Sequence, residues 1–384
     1  MKKIFSDKVI YVLAPQSWGH IKVSKHHYAH ELAKTNTVYY ISAPTYGKRL
    51  SHTVVQIEKN LAVIEYAIPL PGWFRFKLPL LYKTLLRFYL MRILKKNFPK
   101  GDYCFDFGCY QQFDSIDFFP SDYRIFFPVD DFECLKSEMR GCDVVFTVSR
   151  NIQQKYPPGA CHFINHGLSD DFAEKALLSL EQNQWKKSKK ISVGYAGNLF
   201  LKYIDTNTLK SLVAQNPDID FHFFGSHVHN PEITWHREWN DFLTQSSNVT
   251  LHGPLSTAQL AQEYLSMDIF ILCYQPDYKN YHGENSHKVL EYLSTGKTLV
   301  TTYLSIYETS ELMVMAPRDK NDALCVLFSD VISRLEFHNS ASLMKARKTF
   351  ALANTYGMQL EKMTEIIRES LTASDRINNK DKSS

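Results

Sequence analysis

Short apolar runs, each closed by polar residues and separated by helix-length segments, recur along this 384-residue chain and leave few folds open. Residues 9–14 (VIYVLA) end at Pro15, a Gly-containing loop covers 16–20, residues 23–34 have helical spacing, and 37–42 form a second apolar run. Strand, loop, helix and strand within about 35 residues is the repeating unit of a doubly wound parallel sheet. Further apolar runs follow at 61–68, 103–107, 123–128, 144–148 and 161–164. Polar groups close several of them: Gln111-Gln112, Asp130-Asp131, Ser149-Arg150-Asn151 and Asn165-His166-Gly167. No GxGxxG is present, so a dinucleotide-binding reading loses its main support.

Residues 173–190 are polar, lack a clear period and end in WKKSKK, which marks a linker. The rhythm then restarts: strand 191–196, the turn Gly197-Asn198, helix 206–215, strand 220–224, Gly225-Ser226, strand 249–252, helix 257–266 and strand 269–274. The expected organisation is a first domain over 1–178, a linker over 179–190, a second domain over 191–357, and a tail helix over 358–384. Residues 341–371 read as strongly helical, able to pack back across the first domain.

Hydrophobic content of 44% and charged content of 22% are those of a folded protein, and the net charge of +4 does not imply a nucleic-acid partner. The seven cysteines, at 104, 109, 134, 142, 161, 273 and 325, are scattered and include no CxxC, so they read as reduced core residues. Asp7 and Lys8 interrupt any leader after Met1-Lys2-Lys3, and no run of eighteen apolar residues occurs, so the expectation is a cytoplasmic protein, peripheral at most on the inner face of a membrane. The segment that would touch it begins at Phe74 and ends at Lys100: it alternates Lys and Arg with Leu, Phe and Tyr and holds no acid. Such a segment suits an anionic membrane surface, and equally a core helix with a basic outer face.

The stretch 280–302 (NYHGENSHKVLEYLSTGKTLVTT) reads as polar loop, short helix, glycine stop and buried strand. Val289, Leu290 and Leu293 make an apolar helix face and Gly296 ends it, which leaves Lys288 and Glu291 beside the loop. Local spacing alone allows a solvated Lys and Glu on an amphipathic helix. It also allows a nucleoside-diphosphate site, with Ser286, His287 and Lys288 at the helix N-terminus meeting phosphates and Glu291 accepting from ribose hydroxyls.

GYAGNL, FHFFGS, VTLHGPLS and SHKVLEYLSTGKTLVTT, in order, after VVFTVSRNI and INHGLSDDF, resemble the GT-B sugar-nucleotide glycosyltransferases, most of all the retaining family 4 of bacterial surface-polysaccharide synthesis. The resemblance implies an α/β GT-B fold of two Rossmann-like domains facing across a cleft, with the C-terminal helix packing back on the first. It implies transfer of a sugar from a UDP- or GDP-linked donor to a glycan or lipid-linked acceptor. On this resemblance Gly197, Asn198, Lys202, Ser286, His287, Lys288 and Glu291 face the donor, with Lys202 and Lys288 against its phosphates. Many family members carry a glutamate eight positions before the ribose-binding one. Here that position is Gly283, and Glu284 is the nearest acid, a candidate catalytic residue if the loop slips by one position and otherwise a solvated side chain.

Lysines and helix dipoles stand where metal-dependent transferases use a DxD, so no metal or other cofactor is expected. The first domain would present acceptor contacts: Trp18, Gly19 and His20 after the first strand, Tyr110, and Asp130, with Asp131 beside it as a candidate catalytic carboxylate or a helix cap. Retention by attack on the face of the departing diphosphate requires no protein nucleophile, and His166 reads as a turn residue. Two other functions fit the same architecture: a non-catalytic GT-B module that binds glycan or protein, and a sugar-nucleotide 2-epimerase, whose converging acids and histidines the sequence does not display.

Overall fold

The computed structural model describes residues 4–19, 22–108, 113, 115–130, 141–186, 188–276 and 284–381, with side chains described to residue 372. His20, Tyr110 and Asp131 lie outside the described residues, as do Cys109, Cys134 and the first four positions of 280–302. The chain divides into two compact units, one of residues 1–165 with 356–384, the other of residues 166–355.

In the first unit β1 (Val9–Leu13), β2 (Thr37–Ile41), β3 (Thr45–Tyr46), β4 (Ser51–Glu58), β5 (Leu61–Ile68), β6 (Gly101–Asp106), β7 (Ser121–Phe126), β8 (Val144–Thr147) and β9 (Cys161–Phe163) form one sheet. Its order is β3-β5-β2-β1-β6-β7-β8-β9, parallel throughout, with β4 added antiparallel to β5. The β4–β5 hairpin is absent from the sequence reading because β4 buries almost nothing: its Val54 and Val55 are exposed and no apolar alternation marks it. The helix Tyr356–Asp381 sets Tyr356, Leu360, Met363 and Ile367, at helical spacing, into the core beside Tyr28, Phe105 and Phe127. Residues 341–371 are therefore two helices rather than one. Ala341–Leu352 stays with the second unit, and the chain breaks at residues 353–355 before the terminal helix joins the first.

The second unit carries β10 (Ser192–Ala196), β11 (Asp220–Phe224), β12 (Val249–Gly253), β13 (Ile269–Leu272), β14 (Thr298–Thr301) and β15 (Val314–Met315), ordered β12-β11-β10-β13-β14-β15 and parallel throughout. The chain runs outward from β10 on one side, then returns to β13 and runs outward on the other. β10 and β13 thus flank the switch point, where the crevice beyond the strand ends of an open α/β sheet holds ligands.

Two helices depart from the sequence reading. Asp170–Leu178 overlaps the span 173–190 read as linker; Asp170 and Asp171 occupy its first turn and Phe172 and Ala176 its buried face, a short amphipathic pattern that the polar composition hides. Trp185, farther along that span, donates its indole N–H to Asp268 Oδ1 at 2.8 Å. Thr234–Gln245 was unassigned, and it buries Trp239 completely.

The buried Arg347, only 2% exposed, ties the second unit together. Its Nε donates to Leu312 O at 2.8 Å, and its Nη1 donates to Gly296 O at 3.0 Å and His338 O at 2.7 Å. Gly296 O belongs to the turn that ends the helix His287–Ser294. Arg347→Leu strips the guanidinium from three carbonyls and is expected to lower unfolding free energy by about 3 kcal/mol, read as a fall in the urea midpoint with unchanged slope.

Candidate functional site

The turn after β10 is built by backbone constraint. Gly197 has φ +140° and Gly225, after β11, has φ +135°. A Cβ on Gly225 would stand 2.0 Å from Gly197 O, so a side chain there cannot be accommodated without moving the turn. Gly197 N–H donates to Phe224 O at 2.8 Å and Leu199 N–H to Ser226 O at 3.0 Å. Asn198 is exposed and its Oδ1 accepts from Phe200 N–H at 3.0 Å, which closes the turn on itself. Trp239 Nε1 donates to Leu199 O at 3.1 Å from below.

The helix His287–Ser294 is bolted to this turn by Tyr292, whose hydroxyl accepts from Ala196 N–H at 2.8 Å. The Tyr292 ring stacks on Phe270 of β13 at 4.4 Å and is fully buried, so one side chain registers the helix against both strands of the switch point. At the N-terminus of the helix, the Ser286 hydroxyl does not cap the first turn; it lies 3.1 Å from the Tyr274 hydroxyl, just after β13.

This registration brings together two of the residues singled out in the sequence. Lys288 runs along the turn, with its Cε 3.0 Å and its Nζ 3.5 Å from the position a Gly197 Cβ would take. A side chain at position 197 would press on the end of the Lys288 chain, whereas glycine leaves it in place. Glu291, one turn on, has a side chain 20% exposed and lies 3.8 Å from His287 Nε2. Burial pushes its carboxyl up to about 7, against the opposing pull of the Lys288 ammonium.

His166, taken in the sequence as a turn residue, is 7% exposed and belongs to this site. Its ring lies 5.9 Å from that of His287, it hydrogen-bonds the Asn285 backbone, and burial with the nearby Lys288 ammonium lowers its pKa to about 4, so it is neutral near pH 7. Its place after a strand in the polar trio Asn165-His166-Gly167 was the available signal, outweighed by the commonness of histidine in this chain. Tyr292 gave no such signal, because an aromatic residue at helical spacing reads as core.

Lys202 is exposed and makes no hydrogen bond or ion pair among the described residues; its charge acts on His236. Glu284 is half-buried, its carbonyl accepting from Ile306 N–H at 3.2 Å.

In the first unit Gly19 is exposed and Asp130 is exposed after β7. The Trp18 ring is engaged within the unit. Lys22 Nζ sits 3.9 Å over it, and His26 and Tyr40 meet it in edge geometry at 5.1 and 5.0 Å. Among the described residues no group of three or more His, Cys, Asp or Glu could hold a metal ion.

No known family and no curated protein matches the sequence. Solved structures do match it. A glycosyltransferase from Rickettsia africae ESF-5 is similar over 95% of this chain and 99% of its own, with 15% identity and a TM-score of 0.66. The E. coli trehalose-6-phosphate structure bound with UDP-2-fluoro glucose covers 93% and 98%, with 9% identity and a TM-score of 0.64. Anabaena HepE in complex with UDP and glucose covers 94% and 99%, with 13% identity and a TM-score of 0.62. The chain therefore has the α/β fold of the GT-B glycosyltransferase structures across nearly its whole length.

The raised Glu291 pKa has a definite sign. Its ionisation costs the folded state more than the unfolded one, so this contribution is fully present below pH 4.5 and is lost as pH rises through 7. Glu291→Gln is expected to match the parent in stability at pH 4 and to exceed it at pH 8 by about 2 kcal/mol, measured by thermal or urea unfolding across that range.

Proposed function

We propose that the chain is a retaining glycosyltransferase that moves a sugar from a nucleoside-diphosphate donor to a glycan or lipid-linked acceptor in cell-surface polysaccharide synthesis. The observation that carries this reading is the placement of the Lys288 ammonium against the Gly197 backbone at the carboxyl end of β10. It puts a cation, a glycine backbone and a helix N-terminus at one edge of the switch point, a combination suited to a diphosphate. The UDP-bound structures named above, which share the fold, support it.

As the glycosidic bond breaks, negative charge accumulates on the departing diphosphate. Lys288 and the amides of the first turn of His287–Ser294 meet that charge more strongly in the transition state than in the ground state, which is where binding energy raises rate. Lys202, on the exposed loop after Gly197, would supply a second cation on donor binding. Glu291 accepts from ribose hydroxyls; ionised acceptance is favoured there, so donor binding near pH 7 releases a proton from its raised carboxyl. The neutral His166 offers a hydrogen bond beside Lys288 without adding a second positive charge. Attack from the face of the leaving group needs no protein nucleophile. The charge on the diphosphate is met by lysines and helix dipole, so no metal is required.

Titration of the full chain with UDP, GDP and their sugars should give saturable binding in the micromolar range. Lys288→Ala is expected to weaken the nucleoside diphosphate at least tenfold and leave the bare nucleoside nearly unchanged. Glu291→Ala should weaken both while the protein stays folded. Absence of binding for every nucleotide rejects the reading, and loss of transfer in EDTA with recovery in Mg²⁺ rejects its metal-free form.

A further inference from the structure

The first unit carries a surface that its own fold does not use. The helices Phe74–Lys77 and Pro79–Asn97 meet at Leu78, and the longer one is anchored by Tyr82, Leu86, Leu90, Ile93 and Leu94, all buried. An ordinary amphipathic helix would be polar on the other side. Here the outer face is apolar at one end: Phe76 is 79% exposed, Leu80 76%, Phe88 57% and Trp73 51%. Leu80, Thr84 and Phe88 follow one another at four-residue spacing, so they form one stripe, and Phe76 stands just before it.

The same segment is rich in cations and carries no acid of its own. No Asp or Glu occurs between Glu65 and Asp102. Lys77, Arg92, Lys95 and Lys96 are exposed and form no ion pair among the described residues, unlike Lys8, Lys34, Lys100, Lys190 and Lys345, which each have an acid partner. Exposed aromatic and leucine side chains flanked by unpaired lysines and arginines present two demands together, an apolar medium and a layer of negative charge.

We propose that this face docks on an anionic lipid bilayer, with Trp73, Phe76, Leu80 and Phe88 entering the interface and Lys77, Arg92, Lys95 and Lys96 meeting lipid phosphates. A bilayer supplies both demands within a few ångströms of depth: tryptophan and phenylalanine settle at the boundary of headgroup and acyl chain, and basic side chains reach outward from it. The mode is lying on the membrane. Among the described residues no helix is long and apolar enough to cross one. Anchoring of the helix by its buried face means that docking needs no refolding, only immersion of a face already presented. The inference does not depend on the proposed catalytic activity, since none of these residues belongs to the second unit.

Co-sedimentation of the full chain with vesicles tests it. The protein should pellet with phosphatidylglycerol-containing vesicles, far less with phosphatidylcholine alone, and progressively less as salt rises. Each cation near an anionic surface is worth about a factor of five, so Arg92→Gln with Lys95→Gln should weaken binding about 25-fold at low salt. Phe76→Ser, Leu80→Ser and Phe88→Ser together should abolish it at every salt concentration while circular dichroism and UDP binding stay unchanged. Failure of the parent protein to pellet with anionic vesicles overturns the proposal, as does full retention by the triple serine variant. Self-association of the parent that the serine variant loses, without vesicle binding, would instead make the face a contact between copies.

Discussion

The hydrogen bond from Ala196 N–H to the Tyr292 hydroxyl is the contact on which the site of the second unit rests. It ends β10 and fixes the helix His287–Ser294 in a single step, at a place with no water to substitute for either partner. A buried amide left without an acceptor costs about 1–3 kcal/mol. The Gly197 turn begins one residue later, and Gly225 presses against it so closely that a Cβ on Gly225 would stand 2.0 Å from Gly197 O. The helix is thereby held at a distance where Lys288 must lie along bare backbone. Geometry that places a cation beside unadorned amides is costly to assemble from flexible parts. Here it follows from two glycines, one tyrosine and the strand order.

The electrostatics of the site follow from the same packing. Glu291 is raised and His166 lowered by one cause, burial, and the Lys288 ammonium opposes the first shift and reinforces the second. At neutral pH the ligand-free site therefore holds one certain positive charge, a neutral imidazole and a carboxyl near its midpoint.

The two sheets were legible because most of their central strands are apolar runs with polar residues at their ends, the pattern a sheet buried on both faces has. The helix that carries Lys288 and Glu291 was legible because Val289, Leu290 and Leu293 give it one apolar face and Gly296 ends it. β4 was hidden because an edge strand that buries little leaves no alternation to read. Asp170–Leu178 was hidden because a nine-residue helix with two buried residues looks like polar linker. Tyr292 and Arg347 were illegible in a deeper sense. Their roles depend on which backbone groups lie opposite them, Ala196 in one case and Leu312, Gly296 and His338 in the other, and those groups are brought near only by tertiary packing.

The helix Pro79–Asn97 carries the same logic to the surface. One face is committed to the core by Tyr82, Leu86 and Leu90, and that commitment fixes the direction of the other. A protein that gained nothing from an apolar outer stripe would lose little stability by replacing Phe76, Leu80 or Phe88 with polar residues, because none contributes to the buried cluster. Exposed apolar area of that kind raises the risk of aggregation, and the unpaired lysines and arginines around it oppose that risk by repulsion between copies. Apolar surface ringed by one sign of charge disfavours a second identical chain and favours a surface of the opposite sign. In that respect the face is selective before any partner is present.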